Sequence, residues 1–195
     1  MENYIDFPLK NTAIAAEAAE YESETVIAEH THAFQEFVLI TKGACMHRFR
    51  GIEMPLISGD VFLVPAHQKH GYMMNSQIRF INCYFFPEQL GEEWKQLMRE
   101  TLPPGSATDS MEDIRSQWEN LLENMSCNDT DNAVSLTSDE KSHIQGIIHL
   151  TPQEALRVEA LLLQLLEEQD CTQFGAEYIK ASLLQVILVT IKRAQ

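Results

Sequence analysis

His30 and His32 stand two residues apart, and Glu36 follows after three more. His70 arrives much later, beyond a Gly59-Asp60 turn and an apolar run. Residues two apart face the same side of a strand, so His30 and His32 share a face. Glu36 keeps that parity if the strand resumes in register after a short loop. His70 reaches the others only if the fold converges. Three imidazoles and a carboxylate at one point suit two kinds of chemistry. They can hold a divalent transition metal (Zn, Fe, Mn, Ni or Cu), geometry rather than affinity choosing among them. With positions left open, such a metal could activate water or oxygen. The same groups can instead hydrogen-bond the hydroxyls of a polar small molecule, Glu36 accepting and each imidazole both donating and accepting. Phe34, Tyr72 and Tyr84 are the rings that could stack on the apolar face of a sugar.

The segments that would position these residues read as β from Thr25 to Phe86. Runs near 25–29, 36–42, 44–50, 53–57, 60–64, 70–74 and 78–86 are rich in Val, Ile, Phe and Tyr. Gly43, Gly51, Ser58-Gly59 and Asn75-Ser76 separate them at short intervals, the rhythm of an antiparallel sandwich or barrel. Strand 36–42 is apolar on both faces, Glu36 excepted, so it is covered on both sides, the outer cover being the helices that follow. After Pro87 the spacing turns helical. Residues 88–99 carry Leu90, Trp94, Leu97 and Met98, Pro103-Pro104-Gly105 breaks the chain, and 111–125 repeat the theme with Ile114, Trp118, Leu121 and Leu122. A polar, turn-rich loop follows, beginning at Ser126. Thr151-Pro152-x-Glu154 then has the cap, first-turn proline and third-position glutamate of a helix start. That helix is expected over 152–169 and a last one over 174–193. Glu167, Glu168 and Asp170 oppose the macrodipole at the end of the first, whereas Lys192 and Arg193 suit the end of the second.

Gly43 after Glu36, and then Gly59, Pro65 and His70, complete a pattern that resembles the two motifs of the cupin family. Three positions depart from it: Glu24 stands at the leading glycine, His67 where cupins usually carry glycine, and Met74 where they often carry asparagine. The stretches AEHTHAFQEFVLITKGACMHRFRG, PLISGDVFLVPAHQKHGYMM and RFINCYFFP resemble the N-terminal sensor domain of AraC-type transcription regulators. LTPQEALRVEALLLQLLEEQ and YIKASLLQVILVTIKR are similar to the helical half of the same sensor. The resemblance covers most of 12–193, with a gap from about 100 to 145. It implies a mainly β fold, a cupin-like antiparallel barrel (double-stranded β-helix) over residues 1–87, with a helical region over 88–195. Its last two helices would serve packing and dimerisation. Residues 12–20 favour helix by propensity, but the resemblance implies an early strand there, and the strand is the expectation adopted. Tyr4 to Leu9 is expected as a mobile arm.

By the same resemblance the chain is an effector-sensing and dimerisation domain. It binds a sugar or similar small polar metabolite through His30, His32, Glu36 and His70, with Phe34, Tyr72 and Tyr84 around them. The same four residues are the candidate metal ligands, and Zn, Ni, Fe or Mn the candidate cofactor. The alternative is a metal-dependent cupin enzyme of dioxygenase, isomerase or decarboxylase type. No nucleophile elbow, phosphate loop or dinucleotide fingerprint is present, so catalysis would rest wholly on the metal, and enzyme activity is the less favoured reading. His47, His67, His143 and His149 stand outside the motif and are read as bland, His67 being the exception only as a neighbour of His70.

Composition narrows the partners. Fourteen basic against twenty-nine acidic residues give a net charge of −15, shared as −5 through residue 90 and −10 after it. Phosphate binding needs clustered Lys and Arg, so this chain is not expected to bind nucleic acid. In AraC-type regulators the helix-turn-helix portion lies C-terminal to the sensor, and the expectation is a sensor without that reader. No apolar run is long enough to span a membrane and no secretory leader is evident, which makes the cytoplasm the default. Cys45, Cys83, Cys127 and Cys171 are scattered without metal-site spacing, so they are read as reduced, partly buried small hydrophobes.

Residues 183–191 are apolar apart from Gln185 and Thr190, a wider surface than a helix covered on one side requires. Either the helix is sandwiched between the barrel and helix 152–169, or part of it meets a second subunit. A homodimer is expected, with Leu162, Leu165, Leu166, Leu183, Val186 and Ile187 at the interface.

Overall fold

The alternating strands close into two five-stranded sheets laid face to face, with two long helices covering the outer side of one. The computed structural model describes residues 3–8, 12–49, 51–101 and 147–194. The first sheet runs β1 (Asn3–Tyr4), β3 (Val26–Thr31), β8 (His70–Met74), β5 (Ala44–Phe49), β6 (Ile52–Ile57). The second runs β10 (Ile148–His149), β7 (Asp60–Val64), β4 (Gln35–Lys42), β9 (Ile78–Phe85), β2 (Ile14–Tyr21). Every pairing is antiparallel except β1 with β3. This is the cupin-like two-sheet β sandwich, followed by two C-terminal helices.

Residues 12–20 settle as strand against their helical propensity. β2 pairs with β9 over its whole length, from Ile14 opposite Phe85 to Tyr21 opposite Ile78. Tertiary pairing outweighs the few tenths of a kcal/mol per residue by which alanine favours helix. The two-residue strands β1 and β10 were not foreseen, and too few residues alternate in either to leave a periodic signal. The helix expected over 88–99 is two, α1 (Pro87–Leu90) and α2 (Glu92–Thr101), because Gly91 at φ 96° interrupts it. The Pro103-Pro104-Gly105 break, helix 111–125, the polar loop and Cys127 lie outside the described residues.

Each strand of the second sheet divides its side chains between two cores. Val38, Ile40, Phe62, Val64, Ile78 and Phe80 point into the sandwich, where they meet Cys45, Phe49, Met54, Leu56, Tyr72 and Met74 from the first sheet. Phe37, Leu39, Val61, Leu63, Ile81, Cys83 and Phe85 point the other way, into a second core shared with the helices. β4 is thus covered on both sides, as its two apolar faces required. Burial pushes the Cys45 and Cys83 thiols up to about 12, with Asp60 adding to the rise at Cys45, so both stay protonated.

α3 (Pro152–Gln169) opens with the expected capping box, Thr151 and Glu154 satisfying each other's backbone amides. It lays Val158, Leu162 and Leu165 on the sheet, and α4 (Ala176–Arg193) adds Leu184, Ile187, Leu188 and Ile191. This corrects the expected subunit interface. Leu162, Leu165 and Ile187 are 0% exposed within the chain's own core and cannot meet a partner, while Leu166 and Leu183 pack half-buried against the same cluster. Only Val186 of the six is exposed, at 49%. The apolar surface of α4 is wide mainly because the sheet and α3 both cover it. Among the described residues no helix is long and apolar enough to cross a membrane.

Candidate functional site

His30 lies on β3, His32 just beyond its end, Glu36 on β4 and His70 at the start of β8. The sandwich brings them together. A register shift between Ile27 and His30 sets His30 opposite His70, with ring centroids 4.2 Å apart. Gly71 permits that irregularity: a Cβ there would stand 2.8 Å from the Ile27 carbonyl oxygen and 3.0 Å from the Glu29 nitrogen. Two of the three positions that depart from the cupin pattern have a backbone that glycine would favour. Glu24 (φ 67°) and His67 (φ 62°) both adopt the left-handed conformation that glycine favours. His67 is itself exposed and points to no site, but its amide donates to the His32 carbonyl at 2.7 Å.

The tautomers follow from the hydrogen bonds. His30 Nδ1 bonds the Ala28 carbonyl at 2.9 Å, His32 Nδ1 that of Phe34 at 2.8 Å, and His70 Nδ1 that of Gln68 at 3.3 Å. A carbonyl oxygen only accepts, so each Nδ1 carries the hydrogen and each neutral ring presents a lone pair at Nε2. His32 Nε2 and His70 Nε2 nevertheless lie 3.3 and 3.1 Å from Glu36 Oε2, in a pocket where the three side chains are 1%, 0% and 7% exposed. None of the three atoms has an aligned hydrogen bond. Three buried acceptors facing one another repel unless a positive charge sits among them, either imidazolium protons or a metal ion.

The ligand atoms of His32, Glu36 and His70 lie within 4.8 Å of one another. Two imidazole nitrogens and one carboxylate oxygen, each ring braced by a backbone carbonyl, match what a divalent transition metal takes. His30 stands beside this set but does not join it. Burial alone would raise the Glu36 carboxyl, but the two adjacent imidazoles outweigh it and hold the group at about 2. His30 is shifted down, first by burial and then by the neighbouring His70.

The three aromatic residues pack on and around the histidines. Phe34 stacks on His32 at 4.2 Å and 5°, with Phe7 of the N-terminal arm, Tyr84 and Phe86 around it. Tyr72 stacks on His47 at 4.6 Å and lies 6.0 Å from Phe80, so it offers the interior a hydroxyl without a partner. The Tyr84 hydroxyl donates to Glu17 Oε2 and accepts from Asn82 Nδ2, both at 3.0 Å. The arm is partly fixed: β1 pairs with β3, and Phe7 lies on Phe34 and Phe86 at the mouth of the sandwich.

Two interior residues escaped the sequence reading. His47 is 2% exposed with neither ring nitrogen bonded, and Asn82 is 6% exposed with Oδ1 unbonded. Burial, with His70 beside it, takes the His47 imidazole down to about 3. The signal was present in alternation: His47 lies between inward Cys45 and Phe49, and Asn82 between inward Phe80 and Tyr84.

A family profile described as the AraC-like ligand binding domain matches residues 11–166. The chain belongs to that family. It is similar to the HTH-type transcriptional activator RhaR of Klebsiella pneumoniae subsp. pneumoniae, 33% identical over 90 residues, 45% of this chain and 31% of the activator. The RhaR activator of Yersinia pseudotuberculosis serotype O:1b is 24% identical over 162 residues, 83% of this chain and 48% of its own. The chain therefore spans less than half the length of these curated relatives. Among solved structures, an RmlC-like cupin from Shewanella frigidimarina overlays 42% of this chain and 75% of its own, with TM-score 0.38 and 20% identity.

Proposed function

We propose that this AraC-like ligand-binding domain is the effector-sensing and dimerisation part of a RhaR-like transcription regulator. It takes a small, sugar-like molecule into the sandwich beside His30, His32, Glu36 and His70. A divalent metal held by His32, Glu36 and His70 accompanies that role. The observation that carries the reading is the convergence of three buried acceptor atoms without aligned hydrogen bonds. A structural core has no use for such a cluster, because each unsatisfied group costs about 1–3 kcal/mol. A metal there would act as a Lewis acid toward a hydroxyl or carbonyl oxygen. The chain's own residues brace the imidazoles, keep Glu36 charged and exclude bulk water.

An effector can act only through differential affinity for two arrangements. The arm offers one such element, since Phe7 packs on the ring that stacks on His32. Dimerisation is assigned to the apolar residues left exposed on α3 and α4, Leu156, Tyr178, Ile179 and Val186, with Phe174 in the link between them. DNA contact belongs to a part of the regulator outside this acidic chain, and the setting is the cytoplasm. Calorimetric titration with Ni²⁺ or Zn²⁺ tests the site. Wild type is expected to bind one ion per chain and Glu36→Gln to lose at least tenfold in affinity; equal affinities would remove the metal. Val186→Glu should shift a dimer toward monomer by light scattering. The alternative, a metal-dependent enzyme, draws on the same three ligands, and metal-dependent consumption of oxygen or of an acid substrate by the loaded protein would favour it.

A further inference from the structure

Beyond the metal-type cluster the described residues place four more buried atoms without hydrogen-bond partners in the interior: both ring nitrogens of His47, the Tyr72 hydroxyl and Asn82 Oδ1. They come from both sheets. His47 on β5 and Tyr72 on β8 are register partners, and Asn82 on β9 lies opposite Val38, two residues along β4 from Glu36. His47 is packed among Phe49, Phe62 and Tyr72, with the His70 ring 5.9 Å away, so this group adjoins the cluster without being part of it. Phenylalanine would fill the His47 site with no unsatisfied atom. An imidazole there, abandoned at both nitrogens, lowers stability and calls for a use.

We propose that His47, the Tyr72 hydroxyl and Asn82 Oδ1 form an inner subsite that reads a second polar group on an uncharged, polyhydroxylated ligand. The inference rests on the reading that the sandwich interior receives a small polar effector, and it specifies the chemistry of that effector. A neutral imidazole offers one donor and one acceptor, as does a phenol. Asn82 has committed its Nδ2 to Tyr84, so only an acceptor remains. The group that satisfies this set must both donate and accept. A hydroxyl does; a phosphate or carboxylate only accepts, and an ammonium only donates. Charge agrees. Glu36 faces the interior, the exposed Glu17 reaches the Tyr84 hydroxyl from the edge strand, and Lys180, the one Lys or Arg among the buried polar residues described, lies on α4. Beyond the cluster an anionic end would meet no Lys or Arg among the buried residues described.

Thermal shift of the purified chain, with neutral monosaccharides each paired with its phosphate monoester, tests this in wild type, His47→Phe, His47→Gln and Glu36→Gln. A neutral sugar is expected to raise the wild-type Tm while its phosphate does not. His47→Phe should melt higher than wild type without ligand and lose at least tenfold in sugar affinity, and His47→Gln, which keeps a donor and an acceptor, should recover part of it. A His47→Phe chain that binds within twofold of wild type, while Glu36→Gln does not, overturns the inner subsite alone. So does an unliganded His47→Phe chain that melts several degrees lower, because His47 would then be satisfied within the fold. Tighter binding of the phosphates overturns the ligand class. A wild-type chain that no sugar stabilises removes the proposed effector along with the subsite.

Discussion

The unpartnered cluster inside the sandwich and the seams that join strand to strand and helix to sheet both bury polar groups, but they treat them in opposite ways. At the seams, each has its partner. Asp60 is 0% exposed, yet its Oδ1 meets His149 Nδ1 at 2.7 Å and its Oδ2 accepts the Ile57 amide at 2.8 Å. The Lys180 ammonium is similarly buried and is shared between Glu177 Oε1 at 2.5 Å and Thr12 Oγ1 at 2.8 Å. The Ala16 amide, on the edge strand, donates to Gln169 at the end of α3 at 2.7 Å. Inside the sandwich, among the described residues, seven side-chain atoms have no aligned hydrogen bond, and three of them have only the long His32–Glu36–His70 contacts. Buried polar groups that stabilise a fold are satisfied by it, and groups left waiting are satisfied by something else. The seams hold the elements together, whereas the cluster inside leaves hydrogen-bonding capacity unspent.

The largest test falls on the seam. Asp60→Ala leaves His149 and the Ile57 amide without their acceptor and should cost about 3 kcal/mol in urea unfolding. A loss below about 1 kcal/mol would mean that the clip joining β10 to β7 is incidental, and the contrast with the interior would weaken. Next comes the backbone that shapes the interior. Gly71→Ala forces a methyl against the backbone of residues 27 to 29, at a cost of about 2 kcal/mol. It should also weaken Ni²⁺ binding, because His70 is the neighbouring residue. A variant that loses stability but keeps its metal affinity would separate the irregular strand from the site.

Lys180 refines the comparison further. Thr12→Val removes one of two acceptors from a buried ammonium and should cost about 1.5 kcal/mol. Lys180→Met, which removes the charge altogether, should fall within about 1 kcal/mol of wild type, since well-packed apolar replacements of buried ions are often neutral. Equal losses from the two variants would show that Lys180 contributes packing rather than a satisfied charge.

The interior was half legible in the sequence and the seam hardly at all. His30, His32, Glu36 and His70 announced themselves because motif spacing on strands fixes which side chains share a face. His47 and Asn82 were equally visible as polar interruptions of apolar alternation, but a single interruption reads as ordinary without knowing that neither nitrogen finds a partner. Asp60 with His149 and Thr12 with Lys180 join residues 89 and 168 positions apart, and no local period encodes such a pair. Leu162, Leu165 and Ile187 were misplaced for a related reason. An amphipathic pattern says that a helix buries a face, not whether the surface it meets belongs to the same chain.

The smallest effect isolates one unpartnered imidazole. His47 is near 3 in the folded chain and about 6.5 unfolded, so below pH 6.5 the unfolded state binds the extra proton. Its effect is therefore nil above pH 6.5 and becomes a growing loss of stability as pH falls toward 3. Glu36, held at about 2 against an ordinary 4.5, contributes above pH 4.5 and loses that contribution only as pH falls below it. The two windows overlap only between about pH 4.5 and 3, so above 4.5 the effect of His47 is read alone. In chelator-treated protein, lowering pH from 6.5 to 5.5 should cost wild type about 1 kcal/mol more than His47→Phe by urea unfolding, while Glu36→Gln should follow wild type there and diverge only below pH 4.5. Parallel pH curves for wild type and His47→Phe would mean that the folded interior already supplies His47 with a partner for its proton, and the difference between the two regions would lose its clearest member.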